Sequence, residues 1–139
     1  MRELAEKLGR LERSLSEEKG PFNLFALFLR EDAPAVWDLV VAAKWIEEDR
    51  PAALADISRR VRASLRRDEI TKISRVVIVE RADPALKALT ATMSVDHGLA
   101  EAANSTFFGL AIRQAFIITA HSNPQQNKVL QRTAAGGRR

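Results

Sequence analysis

The chain has 139 residues, 46% of them apolar and 29% charged, which suits one domain with a core of its own. It contains no cysteine, so disulfides, thiolate metal ligation and cysteine nucleophiles are excluded. The pI near 10.0 belongs to one stretch: all 18 acidic residues precede His121, and Lys128, Arg132, Arg138 and Arg139 lie beyond it, leaving 18 bases against 18 acids in the part expected to fold.

Residues 2 to 19 carry Leu4, Leu8, Leu11 and Leu15 on one helical stripe, with charges over the remainder, and Gly20-Pro21 ends the helix. A narrow leucine stripe at heptad spacing fits a seam against another helix, from a second copy or another protein, or a face laid on the chain's own sheet. From Phe22 to Arg30 both alternating faces are apolar: Leu24, Ala26 and Phe28 on one, Phe25, Leu27 and Leu29 on the other. Such a strand has to be covered on both sides. After the turn-forming Glu31-Asp32-Ala33-Pro34, a second strand is expected from Trp37 to Ile46, with Trp37, Leu39, Val41, Ala43 and Trp45 sharing a face and the two runs forming a hairpin.

Asp49 followed by Pro51 reads as an N-cap and first-turn proline, opening a helix to about Arg67 with the stripe Leu54, Ile57, Val61 and Leu65. The β-branched run Ile73 to Val79 is expected as a buried strand, and Asp83-Pro84 as the cap of a short helix with Leu86 and Leu89. Leu110 to Ala120 is the last strand, with Ile112, Phe116 and Ile118 on one face and Ala115 and Ile117 on the other. A further strand is placed within Met93 to Ala103, and turn signals stand at His97-Gly98, Asn104-Ser105 and Gly109.

The expected fold class is therefore α+β: an N-terminal helix, a β-hairpin, then α-β-α-β(β), forming a mixed four- or five-stranded sheet covered by helices. The expected divisions are an N-terminal amphipathic helix (1–20), one α+β domain (21–120) and a disordered basic tail (121–139) with few apolar groups to offset ordering entropy. The charged N-terminus lacks the apolar region of a signal peptide, and no run reaches the roughly 18 apolar residues of a membrane span, so a cytoplasmic protein with no membrane association is expected.

No complete catalytic constellation is visible. Arg59, Arg62 and Arg66 form a helical ridge suited to contacting phosphates, but acids at the helix start and arginines at its end also suit the helix dipole, and no aromatic residue interleaves them. Glu31, Asp32 and Asp38 flank the hairpin turn as candidate Mg²⁺ ligands of a nuclease-like enzyme, yet the acid-x-Lys unit is absent: Lys44 lies six residues beyond Asp38, about 20 Å along an extended strand. His97 and His121, the two histidines, have no Gly-x-Ser-x-Gly partner and no third and fourth ligand at zinc spacing. Nothing in the glycine pattern cradles a nucleotide phosphate. The residues thus point to a small protein-interaction or regulatory domain, self-associating or docking on another protein through Leu4, Leu8, Leu11 and Leu15, with no cofactor and no metal; nucleic-acid association through the arginine ridge and the tail is the disfavoured alternative.

Overall fold

The first helix, α1 (Arg2–Lys19), ends where Gly20 takes φ +131, a backbone conformation that side chains rarely adopt. The structure, a computed structural model, describes residues 2–122. After α1 come the hairpin strands β1 (Leu24–Arg30) and β2 (Trp37–Ala42), then α2 (Lys44–Glu48), α3 (Arg50–Ser64), α4 (Arg67–Ile70), β3 (Ile73–Ile78), α5 (Pro84–Thr92), β4 (Ala100–Phe107) and β5 (Leu110–Ala120). The strands form one mixed sheet in the order β3-β2-β1-β5-β4. β3 runs parallel to β2, so the chain between them must cross over, and α2 to α4 make that crossing; all other neighbours are antiparallel. The fold is α+β, as the residue pattern implies.

Each sheet face carries its own core. α1 and α3 cover one face, where Leu4, Leu8, Leu11 and Leu15 pack with Phe25, Leu27, Leu39, Val41, Ile57, Phe116 and Ile118. The other face carries Leu24, Ala26, Phe28, Val40, Ala42, Ile112, Ala115 and Ile117, covered by Leu86 and Leu89 of α5. The doubly apolar β1 is thus the central strand, buried on both sides. Asp49 and Asp83 cap their helices as expected, accepting from the amides of Ala52 (3.3 Å) and Ala85 (2.8 Å).

Of the two arrangements expected for the leucine stripe the chain takes the face laid on its own sheet: all four side chains are buried within the chain itself, because the sheet face above β5 needs a cover and α1 supplies it. Several expectations are corrected. The strand beginning at Trp37 stops at Ala42, and Trp45 sits on α2, edge-on to Phe22 with ring centroids 5.6 Å apart. Leu54 is 39% exposed because α3 turns Ala53, Ile57 and Val61 inward instead. The run at Ile73 is an edge strand and only half-buried. Ile112 lies on the α5 face, opposite to Phe116, because the ladder skips a residue where Leu29 faces Gln114 and Arg30 faces Ile112. This bulge at Arg113 resets the alternation. Asn104-Ser105 is no turn; Asn104 lies inside β4 at φ +51, and the β4–β5 turn is Phe108-Gly109, both residues having positive φ as a two-residue hairpin of type I′ requires.

Of the stretch read as a tail, His121 and Ser122 belong to the body. The His121 amide donates to the Asn23 carbonyl (2.8 Å), and Asn23 Nδ2 donates to the carbonyls of His121 (3.1 Å) and Ser122 (3.2 Å). The remainder of that stretch lies outside the described residues.

Candidate functional site

A second irregularity in β5 builds the most distinctive polar cluster. Phe25 faces Thr119 while Ala26 faces Ile117, so Ile118 is an extra residue and Thr119 turns to the same side as Ile118, towards α1. There its hydroxyl donates to Glu12 Oε2 at 2.8 Å. Across from this bulge the chain leading into β4 is irregular too. Val95 pairs with Ala120 and Ala100 with Ile117, so residues 96–99 face only Ile118 and Thr119. The surplus loops outward, held by a bond from the Gly98 amide to the Ile118 carbonyl (2.9 Å), and it carries Asp96 and His97 over α1.

Glu12 is fully buried and His97 a third exposed, and Nδ1 of His97 stands 2.7 Å from Glu12 Oε1. An ionised carboxylate only accepts, so Nδ1–H is the donor and Glu12 fixes the ring's orientation. The His97 amide also donates to Thr119 Oγ1 (3.2 Å), and His97 is held at φ +51, a conformation costing a side chain of this kind of order 1 kcal/mol. Asp96 Oδ1 lies 3.4 Å from His97 Nε2 and 3.5 Å from His121 Nε2, and Ser94 Oγ is 3.5 Å from His121 Nδ1. The two histidines, far apart in the sequence, are therefore joined through Asp96. Among the described residues no group of three or more carboxylate or imidazole side chains could hold a metal ion.

Beside this cluster a groove of about 240 Å³ runs between α1 and the 96–99 loop, bounded by Gly9, Arg10, Arg13, His97 and Gly98. Gly9 is in the interior of α1, where glycine costs about 1 kcal/mol relative to alanine, and a Cβ placed there would meet nothing within 4 Å. Packing does not require this glycine; its effect is to lower the groove floor. Arg13 Nη2 donates to the His97 carbonyl at 3.1 Å, whereas Arg10 makes no ion pair or side-chain hydrogen bond among the described residues.

The other candidates fare differently. Asp38 is buried and accepts from Arg75 Nε and Nη2, both at 3.3 Å, with Arg30 Nε 3.5 Å away. Its carboxylate is committed to guanidinium groups across the strands β1, β2 and β3. Glu31 and Asp32 are exposed at the hairpin turn, and the length of β1, about 20 Å at 3.3 Å per residue, separates them from His97. Arg59 pairs with Asp56, and Arg66 with Asp68 and Glu69, while Arg62 is exposed without an ion pair among the described residues. Burial pushes the Asp56 carboxyl up, but hydrogen bonds from Arg60 and Arg59 overcome this and hold it below its usual range; the Arg66 hydrogen bond does the same for Asp68. Two of the three ridge arginines are thus neutralised locally, which weakens the ridge as a phosphate track. The Trp37 ring packs against Phe116 in the core.

The two sheet edges are unequal. β4 is broken as a pairing edge by Asn104 at φ +51. β3 has a bulge at Ser74 near its start, and beyond it Val76, Val77, Ile78 and Val79 keep regular register and are only half-buried. The Val79 amide donates to Val41 (2.9 Å), so by alternation the backbone groups of Val76 and Ile78 point away from the sheet. α3 flanks this edge. Asp56 and Arg60 turn towards Lys19 and Glu18 of α1, which places the exposed Leu54 on the opposite flank, beside β3.

Sequence reasoning missed Glu12. Its one signal was position: with Ala5 it forms a heptad pair bordering the leucine stripe, where a charge adjoins the buried face. Among the described residues no helix is long and apolar enough to cross a membrane. No family model matches the chain, and neither a curated protein nor a solved structure is similar to it.

Proposed function

We propose that the chain is a small interaction domain that associates with a second copy of itself by pairing β3 strands edge to edge, with the Leu54 flank of α3 closing over the join. The observation that carries this reading is the half-buried run Val76 to Val79, which pairs in regular register beyond the bulge at Ser74. A parallel strand is ordinarily covered on both faces, and an open apolar edge left at the border of a sheet is a template for another strand. The opposite edge is blunted, which gives the association one direction and closes it at two copies. Antiparallel pairing about Val77 would set Val76 against Ile78 of the second copy and satisfy the outward amides and carbonyls of both residues.

The reading keeps self-association but moves it from the leucine stripe of α1 to the far side of the sheet. Light scattering and sedimentation of the full chain are the test. The dimer mass is expected for the natural sequence and the monomer mass for Leu54→Lys combined with Val77→Lys, both charges being of the kind that guards natural edges. A natural chain that stays monomeric over the whole accessible concentration range overturns the proposal, and so does a dimer whose dissociation constant the two lysines leave unchanged.

A further inference from the structure

The groove beside His97 lies at the β5 side of the sheet, away from β3, and pairing of β3 strands does not account for it. We propose that this groove binds a small molecule carrying a single carboxylate on a short apolar body. Among the side chains that line the groove the count favours one negative charge: Arg10 and Arg13 supply two positive groups and Glu6 removes one, while the carboxylates of Glu12 and Asp96 lie outside the lining, against the histidine rings. A carboxylate neutralises what remains, whereas a phosphate dianion would leave the site overcharged. The two guanidinium groups suit a carboxylate by their planar donor arrays.

The size also limits the ligand. About 240 Å³ is roughly eight times the share of a water molecule in the liquid, and it falls below the range of drug-sized pockets. Leu99, half-buried at the groove wall, offers an apolar surface to the remainder of the molecule.

Preorganisation supports a built site. The guanidinium of Arg13 is anchored on the His97 carbonyl, and His97 is itself fixed from behind by buried Glu12 and by Thr119. His97 here is a positioning residue: it holds Arg13 and forms the groove wall. Gly9 leaves the floor open, so a ligand can approach the helix backbone closely.

The test is titration of the ¹⁵N-labelled full chain with sodium butyrate, and separately with inorganic phosphate, at ionic strength matched by sodium chloride. Butyrate is expected to move the amides of Gly9, Gly98 and Leu99 saturably, with a dissociation constant of about 1 to 10 mM, the weak range proper to so small a ligand. Arg13→Gln should weaken it at least about tenfold, the loss expected when one charged hydrogen-bonding partner is removed. Gly9→Leu, whose side chain enters open space, should abolish the saturable shifts without lowering the melting temperature. Absence of saturation, or shifts that persist in Gly9→Leu, overturns the site; tighter binding of phosphate than of butyrate overturns the carboxylate assignment. None of these readouts depends on the oligomeric state, so failure here is distinct from failure of β3 pairing.

Discussion

Replacing Glu12 separates what the polar cluster does for stability from what it does for geometry. Glu12→Ala deletes a fully buried side chain and leaves the Thr119 hydroxyl, itself buried, without its acceptor. An unsatisfied buried hydroxyl costs about 1 to 3 kcal/mol and the cavity adds to it, whereas His97 Nδ1, on a ring a third exposed, can recover a water. Against these losses stands relief of the desolvated carboxylate, a cost of several kcal/mol in the natural chain. The net expected loss is about 2 to 4 kcal/mol for Glu12→Ala, and about 1 to 2 kcal/mol for Glu12→Gln, whose amide keeps one of the two bonds. Glu12→Leu with Thr119→Val removes both partners at similar volume and should recover most of the stability, with a coupling energy of at least about 1 kcal/mol between the two sites. Urea denaturation of the natural chain, Glu12→Ala, Glu12→Gln, the single variants Glu12→Leu and Thr119→Val and their double variant supplies these energies, and the His97 ring resonances report whether the imidazole keeps one orientation. A Glu12→Ala loss below about 1 kcal/mol, or strictly additive effects in the pair, would refute the bonded and buried arrangement. A stable double variant with a disordered His97 ring would show that the chain carries the charge to hold the imidazole and not to hold the fold.

Three further outcomes follow from the packing. Leu8→Ala, at a fully buried position of α1, should cost about 3 to 5 kcal/mol in urea denaturation while leaving the mass in solution unchanged; a changed mass with little loss of stability would return α1 to the role of an intermolecular seam. Glu69 is held below the usual glutamate range by its hydrogen bond from Lys7, then by the Arg66 amide and charge. Its contribution is therefore complete above about pH 4.3 and lost as pH falls through the lowered folded value, so the stability gap between the natural chain and Glu69→Gln should close in acid; a gap constant from neutral to strongly acidic pH would refute the pairing. Asn104→Val should lower stability by about 1 to 2 kcal/mol because a β-branched residue resists φ +51, while Asn104→Gly should be nearly neutral by thermal denaturation.

The regular parts of the fold were legible because their causes are local. The alternation of β1 and β2, the two Asp-Pro helix starts and the Gly20-Pro21 break each depend on a few adjacent residues, and each element is found where those residues place it except that β2 stops early, at Ala42. The site was not legible because its causes are tertiary. Glu12 and Thr119 meet only because Ile118 is an extra residue in β5, and nothing in Ile117-Ile118-Thr119 marks a bulge until Phe25 and Ala26 are paired beside it. The same limit explains Ile112: alternation is reliable only as long as no residue is inserted. Likewise the β-branched composition of β3 signalled a strand correctly but carried no information on whether one edge or two would be paired.

The groove lies on α1 and the β3 edge beside α3, and these two helices pack against each other, which raises the question of whether a ligand at one site should alter the other. Coupling requires an element with two arrangements that both sites bias. α1 is held on both flanks. On the α3 and α4 side Lys7 bonds both oxygens of Glu69 (2.8 and 3.0 Å) and Glu18 bonds Arg60; on the β5 side Glu12 bonds Thr119 and His97. The groove is open without any shift of α1, since Gly9 already leaves the space free. Butyrate binding therefore has no second arrangement to select, and the dimer dissociation constant measured by sedimentation should be the same with and without it. A change of about fivefold or more would mean a coupling near 1 kcal/mol, and by reciprocity the dimer would then bind butyrate with an affinity altered by the same factor. Such a result would require α1 to move as a unit against β5, breaking the Glu12 bonds or the Lys7 bonds; the Glu12→Gln chain, loosened on one flank, is where that motion should appear first.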